Sequence, residues 1–280
     1  MLKFLVAESE TAEDRAERRA HVGKSAGESY AATLQQLRPD ASITIAAPAD
    51  ADAVVYSPDA IRRFDAVFIT GSPLHVYEDS PEVARQIAFM RNVFASTTRA
   101  FGSCAGLQLA VAAAGGTVRK MPERMEAGIA RRITATDAGR AHPLLADRAA
   151  SWDAPAIHGD EVERLPADST LLASNAVTAV QAAEIRHDGG VFWGVQYHPE
   201  LAPGEIAAAL RRQAEALIEA GLAADEAAVA TRADLLDALQ HDPDRRSLHW
   251  ALGIDREFAA EARRRTELSN FIAQVDQRRP

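Results

Sequence analysis

The sequence has only one cysteine, Cys104, among 280 residues. No intramolecular disulfide is therefore possible, which argues against a disulfide scaffold and favours a reducing, cytoplasmic setting. Basic residues are also in deficit: 31 Lys and Arg face 40 Asp and Glu, for a net charge of −9. A phosphate-backbone binder needs a concentrated basic face, so nucleic acid is not an expected partner. No apolar run approaches the roughly 20 residues of a membrane helix, because Arg, Glu or Asp interrupts every Ala-rich stretch. The opening MLKFLVAESE lacks a long apolar region and a small-residue cleavage site, and predicts a strand rather than a signal peptide. Internal repeats and low-complexity tracts are missing as well.

What is present is ordinary globular material, 47% hydrophobic and 25% charged. At about 150 residues per domain, the length allows one large domain or one domain with an appendage. Short apolar runs at Leu2 to Ala7, Ile43 to Ala46, Ala66 to Thr70, Arg99 to Gly102 and Val191 to Gln196 read as strands. Between them, Glu28 to Leu37, Pro81 to Ala95, Ala105 to Ala114 and Gly204 to Ala220 read as helices. The alternation predicts an α/β fold with a mostly parallel open sheet and helices on both faces, its site at the carboxyl ends of the strands. From Leu222 onward only helical periodicity remains, broken at Pro243 and Gly253. The division expected is a domain over 1–220 and a helical extension over 221–280. Phe258 and Phe271 suit that extension to docking, and His249 and Trp250 read as packing residues. Glu8 to Gly27 is a long, highly charged connection after the first strand, read as a solvated helix or flexible loop, or alternatively as a lid.

The chemistry centres on Gly102-Ser103-Cys104-Ala105-Gly106, where a short strand turns sharply into a helix. A lone cysteine is ordinarily a small buried hydrophobe. Here the small flanking residues permit a strained elbow that lifts the side chain clear of the sheet, and the helix start favours a thiolate. A nucleophile needs a base, and the base an orienting group. Val195-Gln196-Tyr197-His198-Pro199-Glu200 offers both: residues i and i+2 of an extended segment share a side, and Pro199 keeps His198 extended. Phe68-Ile69-Thr70-Gly71-Ser72-Pro73 ends another strand in a turn whose N–H groups, with that of Ala105, are placed to form an oxyanion hole. His158 and Asp160 supply two metal ligands at most, so no metal is expected.

The ordered set Gly-x-Cys-x-Gly-x-Gln, then Gly-Val-Gln-Tyr-His-Pro-Glu about ninety residues later, resembles the class I (triad) glutamine amidotransferases. His-Gly-Asp-Glu-Val with Leu-Pro brings it nearest to the glutaminase domain of GMP synthase, and the resemblance spans Leu2 to Ala220. It implies the flavodoxin-like amidotransferase fold and no cofactor. Cys104 would attack the side-chain amide of glutamine, His198 would carry the proton and Glu200 would orient the imidazole. The amides of Ser72 and Ala105 would hold the oxyanion, with Gly71 and Gln108 at the amino-acid end of the substrate and His158, Gly159 and Asp160 bordering the site. Gly71-Ser72 stands where the family usually has two glycines, and His75 where a serine often follows.

No Ser-Gly-Gly-x-Asp-Ser phosphate loop accompanies the GMP synthase likeness, so the acceptor half of such a reaction is not expected in this chain. Three readings follow. The first is a glutaminase that supplies ammonia to a partner synthase. The second, from similarity to stand-alone members, is a γ-glutamyl peptidase or amide hydrolase. The third is a silent partner-binding module, against which the intact Cys-His-Glu set argues.

Overall fold

The computed structural model describes residues 1–122 and 125–277. Eleven strands are β1 Lys3–Ala7, β2 Ser42–Ala46, β3 Ala66–Ile69, β4 Ala100–Ser103, β5 Thr117–Lys120, β6 Glu126–Ala135, β7 Ser151–His158, β8 Asp160–Arg164, β9 Ser169–Ser174, β10 Ala182–His187 and β11 Gly190–Val195. The helices that pack on them are α1 Ala12–Val22, α2 Ala26–Leu37, α3 Pro58–Ile61, α4 Pro81–Ser96, α5 Ala105–Ala113 and α6 Asp137–Ala141. Beyond β11 follow α7 Pro203–Arg212, α8 Ala214–Glu219, α9 Glu226–His241, α10 Arg246–Leu252, α11 Arg256–Ala259, α12 Glu261–Arg264 and α13 Thr266–Asp276.

Nine strands form one sheet in the order β2-β1-β3-β4-β11-β10-β9-β6-β7, and β5 pairs with β8 apart from it. The strands from β2 to β11 are parallel, and those from β11 to β7 run antiparallel. The five runs read as strands from sequence are the parallel half. Within it β1, β3, β4 and β11 are buried on both faces and therefore mostly apolar, while the edge strand β2 is partly exposed. The antiparallel arm comes from residues 126–187, where polar residues alternate with apolar ones and β6 carries a bulge between Ala130 and Ile133.

Alternate side chains of each parallel strand feed two cores. Phe4, Val6, Phe68 and Phe101 point towards α2 and α13, while Leu5, Ala7, Val67 and Ile69 point towards α4 and α5. Phe271 of α13 packs edge-on against Phe68 at 5.3 Å between ring centroids and lies 5.6 Å from Phe101. The last helix therefore completes the same core as the first strands. A third apolar cluster lies under α7 and α9 to α11, built on Ile206, Leu210, Leu236 and Phe258.

Trp250 departs from expectation: it is 87% exposed. The buried face of α10 is Leu248 and Leu252, and Trp250 lies between them in sequence, on the opposite side of the helix. The charged connection after β1 is a helix. Thr11 and Asp14 form a capping box at the start of α1, and buried Arg15 ties it down through Asp50 at 2.6 Å and Glu8 at 3.6 Å.

Candidate active site

Cys104 sits between the last residue of β4 and the first turn of α5, with φ 53° and ψ −111°. This is positive-φ backbone in a non-glycine residue, a strain on the order of 1–3 kcal/mol that the surrounding structure must hold. Its N–H donates to Val195 O at 2.8 Å and its carbonyl accepts from Gln108 N at 3.2 Å, so β11 and α5 both fix the turn. The flanking glycines are steric requirements. A Cβ on Gly102 would lie 2.8 Å from Phe192 Cζ, and one on Gly106 2.6 Å from Ile69 O.

The parallel register of β4 and β11, with Ser103 opposite Val195, brings the chain beyond each strand to one corner. Pro155 O accepts the His198 N–H at 2.8 Å, and the imidazole Nδ1 meets Glu200 Oε1 at 2.8 Å. His198 and Glu200 are 6% and 5% exposed. A Cβ added to Gly71 would sit 2.8 Å from His198 Cε1 and 3.6 Å from Cys104 Cβ. The ring and the thiol thus meet over a residue that cannot carry a side chain.

Burial works to lower the His198 pKa. The Glu200 carboxylate and the neighbouring Cys104 sulfur outweigh it and push the value up to about 10. His198 Nε2 is buried and makes no hydrogen bond among the described residues. The sulfur is close enough to act on the ring electrostatically while lying outside hydrogen-bond geometry, a gap that commonly closes when substrate binds.

Three residues that sequence reasoning missed stand behind this pair. Ser103 Oγ donates to Glu200 Oε2 at 2.8 Å, and Tyr30 OH lies 3.3 Å from Ser103 Oγ. Thr33 Oγ1 also donates to the Glu200 carbonyl, so one face of α2 backs the carboxylate. Ser103 was visible as part of the elbow. Its role needed the β4 register, which turns its side chain away from Cys104 towards Glu200.

The thiol opens into a cavity of about 810 Å³ bounded by segments that follow β1, β3 and β4. In the order 2-1-3-4 the sheet reverses direction between β1 and β3, where open α/β sheets place their ligands. Gly71, Ser72, Gln108, His158, Gly159 and Asp160 all line it. Ala105 does not, but its N–H belongs to the first turn of α5, whose leading amides have no intrahelical acceptor. Gln108 Nε2 donates to Asp160 O and to Gln196 Oε1, both at 3.2 Å. His158 is committed elsewhere: Nδ1 bonds Asp160 O at 2.9 Å and Nε2 bonds Glu126 Oε2 at 3.1 Å. Asp160 is gripped by His75 Nδ1 at 2.6 Å and by Tyr77 OH at 3.1 Å, which ties the loop after β3 to β8 across the cavity. A second cavity, about 340 Å³ between α2 and α13, is lined by neither a cysteine nor a histidine.

The family model for class-I glutamine amidotransferases matches residues 22–215. The chain belongs to that family. It is an enzyme acting on glutamine-type amides, and Cys104, Gln108 and His198 fall inside the matched span. Over 225 residues it is 38% identical to a γ-glutamyl-L-1-hydroxyisopropylamide hydrolase of a Pseudomonas species, a match covering 79% of this chain and 75% of that one. It is also 32% identical to the glutamine-hydrolysing GMP synthase of Thiobacillus denitrificans, over 52% of this chain but 28% of the synthase. The amidotransferase chain thus spans about a quarter of the synthases it matches. Among solved structures, a glutamine amidotransferase of Thermotoga maritima superposes with a TM-score of 0.67 at 12% identity, over 98% of this chain and 97% of that one. One from Methylobacillus flagellatus gives 0.61 at 16% identity, covering 98% and 94% respectively. These two show the shared fold. No helix among the described residues is long and apolar enough to cross a membrane.

Proposed function

We propose that the protein hydrolyses γ-glutamyl amides through a thioester on Cys104, and that its leaving group is a substituted amine as well as ammonia. The observation that carries the mechanism is the buried, unpartnered Nε2 of His198 beside Cys104, with Nδ1 of the same ring held by Glu200. The sulfur, deprotonated by the imidazole, attacks the amide carbon. The C–N bond breaks as Nε2–H protonates the departing nitrogen, and water, deprotonated by the same ring, then cleaves the S–C bond to give glutamate. The N–H groups of Ser72 and Ala105 hold the oxyanion in both steps, while Gly71, Gln108, Gly159 and Asp160 frame the substrate. Residues 1–220 form the amidase unit, and the helices of 221–280 brace it through α13.

Two observations favour a substituted amine. The Pseudomonas hydrolase aligns over most of its own length, unlike the synthases. The cavity wall also includes Met121, Met125, Ile157 and Leu201, apolar surface suited to the carbon skeleton of an amine. The synthase matches support a second use of the same chemistry, in which ammonia passes to a separate synthase partner. The single thiol fits a reducing cytoplasm for either use.

The test compares glutamate release from glutamine and from an N-alkyl γ-glutamyl amide. Hydrolysis of the N-alkyl amide, abolished by alkylating Cys104 and reduced about 10³-fold or more in C104S, supports the reading. Full activity in C104S overturns it. Turnover of glutamine alone, rising when a co-purifying synthase is added, transfers the assignment to the ammonia-supplying use.

A further inference from the structure

The thioester mechanism asks the Ser72 N–H to stand in one place, yet the segment that carries it is loosely packed. Residues 71–79 link β3 to α4, and of these Val76 alone is buried. The Ser72 N–H donates to nothing among the described residues, which leaves it free for an oxyanion, and the Ser72 hydroxyl accepts the Leu74 N–H of its own turn at 3.1 Å. Every side-chain hydrogen bond from this segment to a residue outside it, among the described residues, ends on Asp160.

That grip uses the whole carboxylate. Oδ2 accepts from His75 Nδ1 at 2.6 Å and Oδ1 from the Tyr77 hydroxyl at 3.1 Å, while the two rings stack with centroids 5.5 Å apart and 29° between their planes. Partial burial, then the charge of Asp160, push the Tyr77 pKa up to about 12, so the hydroxyl keeps its proton for that carboxylate at neutral pH. Asp160 is the fixed end. Its side chain is 9% exposed, its carbonyl accepts from both Gln108 Nε2 and His158 Nδ1, and it pairs with Lys120 between β8 and β5. Charge-assisted bonds to a carboxylate are stronger than neutral ones, and two of them, from positions i and i+2, leave the segment little room to pivot.

We infer that His75 and Tyr77 are positioning residues, which clasp Asp160 and thereby hold the Ser72 N–H where the oxyanion forms beside Cys104. The inference rests on the proposed thioester chemistry and adds what that chemistry lacks, the reason a largely exposed segment presents a donor at a fixed point. Gly71 lies against His198 and His75 is bound to Asp160, so Ser72 is pinned on both sides. Oxyanion donors act by being held in advance, and a displacement of about 1 Å costs on the order of 10²-fold in rate.

The double variant H75A/Y77F tests it in the full-length protein, with H75N as the conservative control, since an asparagine amide can donate where Nδ1 does. On an N-alkyl γ-glutamyl amide, the double variant is expected to lower kcat about 10- to 100-fold with KM within about twofold. H75N should keep kcat within about threefold of the wild type. Two labels of Cys104 separate positioning from structure. A chloromethyl ketone analogue of glutamine places its carbonyl oxygen in the oxyanion hole as the sulfur adds, whereas iodoacetamide is displaced at a saturated carbon and forms no oxyanion. Labelling by the ketone should slow about 10-fold or more in H75A/Y77F, and alkylation by iodoacetamide should stay within about twofold. A fall confined to KM, an equal change in both labels, or wild-type kcat in the double variant overturns the clasp. If the wild-type protein hydrolyses no γ-glutamyl amide, the amide reading falls and the labels alone decide. Ketone labelling slowed in the double variant would then still uphold the clasp, and ketone labelling that is unchanged, or absent from the wild type, would end it.

Discussion

Two of the buried carboxylates that pair with basic side chains, Glu267 and Glu200, differ in what is left over. Glu267 of α13 is fully buried and receives Arg148 Nε and Nη2, each at 2.7 Å, together with the Tyr197 hydroxyl at 2.7 Å. Arg148 is completed by Glu257 at 3.0 Å and by the Arg264 carbonyl at 3.2 Å. Burial works to lower the Arg148 pKa, but Glu267 outweighs it and the guanidinium stays charged. Every strong group in this cluster has a partner, and the cluster's work is to anchor α13. Glu200 is held as firmly, by Ser103 and His198, yet the far nitrogen of His198 is left unpartnered beside a strained cysteine. A satisfied buried ion pair is architecture, whereas one deliberately short of a partner is poised for chemistry.

Removing one partner from the architectural cluster should have the largest effect on stability. R148M leaves Glu267 buried without its cation, and urea denaturation is expected to show a loss of about 3–5 kcal/mol. The double variant R148M/E267L should recover much of that loss, since a buried pair is often no better than an apolar pair of similar size. No such apolar rescue is expected at His198 and Glu200, where activity needs the charges themselves. Failure of the double variant to recover stability would show that the Arg148 cluster also does something beyond anchoring.

Next in size is the brace behind Glu200. S103A should lower kcat about 10-fold or more with KM nearly unchanged, the scale of one charge-assisted hydrogen bond, and S103T should restore most of it. An equal fall in kcat and stability, without rescue by threonine, would make Ser103 a packing residue only.

The smallest effect concerns pH. With His198 raised to about 10 by Glu200 and Cys104 against the opposing effect of burial, the imidazolium that protonates the leaving nitrogen persists through neutrality. The rate of thioester formation should therefore hold through pH 9 and fall as pH rises through about 10. The sign for stability is the same. A histidine whose folded pKa exceeds its unfolded value of about 6.5 contributes stability that is complete below the unfolded value and lost as pH climbs past the folded one. A rate that falls near pH 7 would show that Glu200 does not hold the ring as charged.

Most of the parallel half of the sheet was legible because doubly buried strands leave apolar runs that little else produces. The elbow was legible because a strand, a helix and small residues around Cys104 converge on one turn. His198 and Glu200 could be paired from their i, i+2 spacing, though nothing local said that they would reach Cys104. The antiparallel arm was hidden: Glu126 to Ala135 mixes Arg, Glu and Gly into a bulged strand whose faces are set by β7 and β9. Charge density after β1 announced a helix or loop, but not that Glu10 and Arg18 would line the cavity while Arg15 turned to Asp50. Trp250 shows the same limit. An aromatic residue in a helical segment reads as core until the packing of its neighbours Leu248 and Leu252 assigns it to the outside.

By itself the sequence determined the local pieces: which segments become doubly buried strands, where the backbone must pass through a turn too tight for side chains, and which residues carry a nucleophile, a base and an orienting carboxylate. These follow from steric and hydrophobic preferences acting within a few residues of one another. Only the tertiary structure decided that β4 and β11 lie side by side with their carboxyl ends aligned, and hence that a thiol and an imidazole more than ninety positions apart meet over Gly71. That pairing, like the choice of face that α1 presents to the cavity, is settled by burial summed over the whole sheet, and no short stretch of chain contains it.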